Sequence, residues 1–101
     1  MKRWRVLIAP TAEAQLAIIR SWWFTNLPLA PDLFDRELDA AVTMIGKAPA
    51  SLPLYRREDD TDVRRVLLHK SRYAVYFCVG SDDVLIVSVW HTARGAGPSL
   101  T

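Results

Sequence analysis

The sequence predicts an α+β domain in the order β-α-α-β-β-β. Three observations predict it: a short β-type run opens the chain, two apolar stripes at helical spacing follow, and three β-type runs with hairpin-length breaks close it. With 101 residues there is room for one domain, residues 1–101, and one core. Hydrophobic residues make up 50% and charged ones 24%, a globular rather than a disordered composition.

Arg5–Ala9 reads as a strand that Pro10 ends. Thr11 can cap the next helix, with Glu13 favourable in its first turn, and Ala12, Leu16, Ile19 and Trp23 fall on one face. Asn26–Pro31, with two prolines, is the turn. Asp32 caps a second helix whose inner face is Phe34, Leu38, Ala41, Val42 and Ile45, stopped by Gly46 and Pro49. So short a connection makes the helices an antiparallel hairpin. Residues 49–62 hold two prolines and an acidic knot, Glu58, Asp59, Asp60 and Asp62, flanked by Arg56, Arg57, Arg64 and Arg65. They read as an irregular, solvated connection with local charge compensation. The strands Val63–Leu68, Tyr73–Val79 and Val84–His91 follow, joined by hairpins at His69–Arg72 and Gly80–Asp83. Segregated helices against a largely antiparallel sheet complete the architecture.

Both faces of that sheet are apolar. Alternation puts Val84, Ile86 and Trp90 on one face of the last strand and Leu85, Val87 and Val89 on the other. The middle strand likewise opposes Val75, Phe77 and Val79 to Tyr76 and Cys78. One helical hairpin covers one face. The other is cupped into a cleft, covered by a partner, or covered by the tail beyond Arg94 and the long connection. The run Trp22–Trp23–Phe24 poses the same question, since helical neighbours stand about 100° apart. Trp23 falls on the core face, leaving Trp22 or Phe24 exposed or under a partner, unless all three tuck under the turn at Leu27–Pro31.

Charge and composition exclude several classes. A net charge of +2 is too small to argue for nucleic acid by itself. Cys78, the single cysteine, reads as a small hydrophobe in a reducing cytoplasm. No segment is long enough for a signal peptide or a membrane span, so the expected location is cytoplasmic. His69 and His91 are the only histidines and share no ligand-like spacing with Cys or carboxylates, so neither metal nor cofactor is expected.

Taken in order, six pieces carry a resemblance: the opening strand closed by Pro10–Thr11–Ala12, the helical hairpin, the loop Pro49–Arg57, the strand Val63–Leu68, the run Arg72–Phe77, and the close Val87–Gly95. Together they resemble the RelE/ParE toxin family, and within it the ParE branch. The resemblance implies the toxin of a two-gene type II toxin–antitoxin module, of the plasmid-stabilisation or stress-response kind. Its partner would be a cognate, ParD-like, DNA-binding antitoxin whose tail folds onto the toxin in a hetero-oligomer. Trp22, Phe24 and Tyr76 are the expected antitoxin-binding residues.

Two activities occur on this fold. RelE-type members cleave messenger RNA on the ribosome, whereas ParE-type members poison DNA gyrase. Cleavage by the ribose 2′-hydroxyl needs a base, a cation for the developing phosphorane and an acid for the leaving oxygen. His91, Arg94, Arg72 and Arg64 are the candidates, although only one of Arg64 and Arg65 can face a cleft. Many relatives place an Arg after the middle-strand tyrosine, where this chain has Ala74, and no Lys or Glu is evident on the facing strands. The expectation is therefore a binding inhibitor of gyrase rather than an enzyme, with Trp90, His91 and Arg94 as its target-binding edge. An mRNA-cleaving endoribonuclease and a non-toxic antitoxin-binding relative are the alternatives. For His91 the plainer reading is a ring hydrogen-bonded to its own loop; for Arg94, a salt bridge to the antitoxin or to the acidic knot.

Overall fold

A computed structural model describes residues 2–27, 29–30, 32–94, 97–98 and 100. The elements are β1 (Arg5–Ile8), α1 (Pro10–Asn26), α2 (Leu33–Lys47), β2 (Leu54–Glu58), β3 (Thr61–Leu68), β4 (Tyr73–Val79) and β5 (Asp83–His91). A single 3-10 turn, Pro49–Ser51, follows α2. The five strands form one sheet in the order β1-β5-β4-β3-β2. Only β1 runs parallel to its neighbour, so the sheet is largely antiparallel and the fold is α+β, as the sequence predicts.

Helix α1 starts one residue before the expected cap. Pro10 occupies its first position, where a missing N–H leaves no bond unmade and the fixed φ suits a helix. Ala9 precedes it in extended conformation without a side-chain cap, and Thr11 lies inside the first turn. Asp32 is the N-cap of α2 as expected, its carbonyl accepting the Arg36 N–H at 2.9 Å, but its side chain makes no capping bond; the carboxylate pairs instead with the Arg36 guanidinium at 3.1 Å. Gly46 lies within the last turn of α2 rather than ending it, and its carbonyl accepts the Trp4 N–H at 2.9 Å. The stripes Ala12–Leu16–Ile19–Trp23 and Phe34–Leu38–Ala41–Ile45 pack as expected on Val75, Phe77, Val84 and Ile86. No helix among the described residues is long and apolar enough to cross a membrane.

Residues 49–62 depart from expectation. Instead of an irregular connection they contain β2, which pairs antiparallel with β3. The turn is the acidic knot itself: Asp59 and Asp60 have φ of 48° and 64°. A two-residue hairpin turn that matches the right-handed twist of its strands needs positive φ at both central positions, and Asp tolerates that region better than most residues. The expected charge compensation is present, with Arg57–Asp62 at 2.8 Å and Arg56–Glu58 at 2.6 Å.

A second departure lies in β5. Its register against β4 passes from Phe77↔Ile86 to Tyr76↔Ser88, leaving Val87 as an extra residue. A bulge of this kind shifts the alternation by one, and every side chain beyond it changes face. Val89 therefore joins Val84 and Ile86 in the core against the helices, while Trp90 packs on the opposite side. Simple alternation placed these two the other way round.

That opposite side carries a second, smaller core. Val63, Ala74 and Tyr76 are buried there beneath Tyr55, Cys78, Val87, Trp90 and Leu100. Of the three coverings the sequence allows, the chain's own tail and β2 supply this part. Tyr55 meets Tyr76 edge to face at 4.8 Å, and Gly97, at φ 76°, lies so close that a Cβ there would stand 2.9 Å from the Tyr55 hydroxyl. The paired Leu7 and Leu85 remain about 40% exposed on this face. Burial pushes the Cys78 thiol up, in keeping with an inert, hydrophobe-like cysteine.

Candidate binding site at the end of the last strand

A relay of hydrogen bonds fixes the residues that leave β5. On α2, the Glu37 carboxylate accepts the amide N–H groups of Lys70, at 2.9 Å, and Ser71, at 2.7 Å. Burial pushes this carboxyl up, but the two amides and the Lys70 charge outweigh it and hold the group below its ordinary value. The clamped turn ends at Arg72, whose φ is 67°. The Arg72 carbonyl then accepts both the amide of Thr92, at 2.8 Å, and its hydroxyl, at 2.9 Å. Beyond this anchor the chain turns sharply, with the Arg94 N–H donating to the His91 carbonyl at 3.1 Å.

Three side chains gather at the turn. His91 Nδ1 accepts the Ala93 N–H at 3.1 Å, so the plainer reading of this histidine holds and its neutral form carries the proton on Nε2. Its ring stands perpendicular to Tyr73, centroids 4.9 Å apart. The Arg94 guanidinium lies 4.8 Å over the Trp90 ring, a cation–π contact. On the helix side, Gln15 Oε1 accepts the Val89 amide at 2.8 Å and the Ser88 hydroxyl at 3.2 Å, tying α1 to β5 just past the bulge.

Between α1 and this strand end opens a cleft of about 550 Å³. Ile18, Ile19, Trp22 and Leu27 form one wall, and Tyr73, Val89, Trp90, His91 and Arg94 the other. Its size suits an inserted group of side chains, and its make-up, apolar walls with few polar atoms, is that of a binding pocket. Trp23, Ser71 and Trp90, which also border it, each hold a buried polar atom with no partner of hydrogen-bond geometry among the described residues. Burial pushes the Tyr73 hydroxyl up, against the pull of the Trp23 side chain and the Arg94 charge. Across the sheet, Trp90, His91 and Arg94 also line a cavity of about 90 Å³ with Tyr55, Arg65 and Tyr76. Arg65 there lies 4.9 Å over the Tyr55 ring.

Of the residues singled out in the sequence, Trp90, His91 and Arg94 come together. Arg64 does not join them: its guanidinium is spent on the Leu52 carbonyl at 2.7 Å, and Arg65 is the neighbour that faces the cavity. Arg72 contributes its backbone, and its side chain lines neither cavity. Trp23 is buried, whereas Trp22 and Phe24 are 50% and 77% exposed; of these two only Trp22 borders the cleft. Tyr76, expected at an antitoxin interface, is 3% exposed beneath the second core and offers a partner almost no surface. The sequence points to one of Arg64 and Arg65 without choosing between them, and it does not single out Gln15, Glu37 or Tyr55. Only the Asp59–Asp60 turn signal could have pointed to Tyr55, because it sets Tyr55 and Arg65 on neighbouring strands.

Residues 6–95 match the family model described as the ParE toxin of the type II toxin-antitoxin system parDE. A search of curated proteins gives no match.

Proposed function

Because the chain belongs to the ParE toxin family of type II toxin–antitoxin systems, we propose that it acts in the cytoplasm by binding DNA gyrase and is silenced by a ParD-like, DNA-binding antitoxin. The family carries the toxin reading and implies an antitoxin partner. The observation that supports the mode of action is the lining of the two cavities: the described residues bordering them include neither a carboxylate nor a lysine. Phosphodiester cleavage needs a paired acid and base, and the His91 ring already has one nitrogen engaged by the Ala93 amide. Trp90, His91 and Arg94 form instead a rigid aromatic and cationic edge, the composition of an interface anchor. For the antitoxin, the apolar cleft beside Trp22 is the natural seat.

One observation favours the alternative of an endoribonuclease: Arg65, Arg94 and His91 share the small cavity, where two guanidinium groups could hold a phosphate. Purified toxin separates the two readings. The expected result is inhibition of gyrase supercoiling with a ribosome-bound reporter transcript left intact. Transcript cleavage with supercoiling unaffected would reverse the assignment, and normal growth on induction of the chain alone would make it a non-toxic relative.

A further inference from the structure

The cleft and the small cavity share one wall, made of Trp90, His91 and Arg94. The polar groups on that wall are hydrogen-bond donors: the Arg94 guanidinium, the Trp90 indole N–H, which is buried and has no partner among the described residues, and the His91 Nε2–H of the neutral ring. Among the described residues no carboxylate pairs with Arg94, and three acids of the β2–β3 hairpin, Glu58, Asp60 and Asp62, pair instead with Arg56 and Arg57. The opposite wall, with Ile18 and Trp22 one helical turn apart, is apolar and exposed. A ligand that satisfies both walls has aliphatic side chains next to a negatively charged acceptor.

Resting on the reading that an antitoxin occupies the cleft, we propose that its inserted segment presents a carboxylate to Arg94, flanked by apolar side chains against Ile18 and Trp22. Arg94 belongs to both cavities, so a carboxylate that draws its guanidinium off the Trp90 ring into the cleft takes that cation from the opposite cavity. Neutralisation then follows from competition for one side chain as well as from blocking a surface. A guanidinium facing a carboxylate makes two parallel charge-assisted bonds, which sets such a segment apart from its neutral isostere.

The test uses two small probes of one shape, 4-methylpentanoate and 4-methylpentanamide, titrated into the full-length toxin and followed by the indole and guanidinium N–H resonances. The expected result is that the carboxylate moves the Trp90 and Arg94 signals and binds on the order of tenfold more tightly than the amide. Rising salt should narrow that difference. Arg94→Gln should erase the difference, whereas Arg57→Gln, whose guanidinium is held by Asp62, should preserve it. Equal binding of the two probes, or movement of the Trp4 signal in place of Trp90, overturns the proposal. In the complex, Arg94→Gln should weaken antitoxin affinity about tenfold, and unchanged affinity also overturns it. A wild-type toxin that binds no antitoxin would defeat the functional reading, while the probe titration would still decide this one.

Discussion

Replacing Glu37 with Gln tests whether the relay from α2 holds the strand end in place. The carboxylate accepts two amides of the β3–β4 turn, at 2.9 and 2.7 Å. Gln keeps one acceptor oxygen and turns an NH₂ group toward the other N–H, so one bond is lost and the remaining one loses its charge. Hydrogen bonds to charged groups are worth about 1.5–3 kcal/mol net, and the exposure of the Lys70 amide reduces the gain, which gives a loss of about 1–2 kcal/mol. For a domain of this size that lowers Tm by roughly 5–10 °C. The pH dependence supplies a sharper signature. Because the folded carboxyl lies below its ordinary value, its contribution is fully present above the unfolded pKa of about 4.3 and fades as pH falls through the folded one. The Tm gap between wild type and Glu37→Gln should therefore be constant from neutrality to about pH 5 and close as pH falls through the lowered folded value. Thermal melts from pH 7 to pH 3 measure it. A gap that stays open in acid, or one under 2 °C at neutrality, would refute the clamp.

Three other outcomes follow from the fold and its surface. Gln15→Leu removes the acceptor of the buried Val89 amide and should cost about 1–3 kcal/mol, read as a lower urea midpoint with unchanged slope. Asp60→Gly places the residue best suited to positive φ in the β2–β3 turn, and should raise stability by about 0.5–1 kcal/mol in the same assay. Trp22→Ser, at a half-exposed position on the cleft wall, should leave Tm within about 2 °C of wild type and weaken antitoxin binding at least tenfold by calorimetry.

The parts of the fold that the sequence made legible are those where one local rule decides. Both helical stripes follow from 3.6-residue spacing, and β4 falls on its expected residues because its apolar run is bounded on both sides. The expectations for residues 49–62 and for β5 fail for different reasons. Asp59–Asp60 was read by charge, when the decisive property is that aspartate accepts positive φ, and so a hairpin was taken for a loop. The exchange of Val89 and Trp90 came from counting alternation through a bulge, which single-strand periodicity does not register. The site was harder to see. Trp90, His91 and Arg94 are contiguous and were found, but Glu37 and Gln15 act on strands far along the chain, and their roles exist only once the sheet has closed. Arg64 and Arg65 were indistinguishable in sequence, and it is the register of β3 that hands one to Leu52 and the other to the cavity.

The parallel pairing of β1 with β5 has a temporal consequence. Arg5 to Ile8 have their partners at Asp83 to Ile86, so within this sheet the strand made first bonds to the strand made last. Closure of so long a loop comes late in folding. A nascent chain that has not yet released β5 lacks the strand that carries Trp90 and His91 and the neighbour that β1 requires. The proposed binding edge is therefore among the last parts of this fold to form, and an antitoxin has that interval in which to be waiting when the strand end appears.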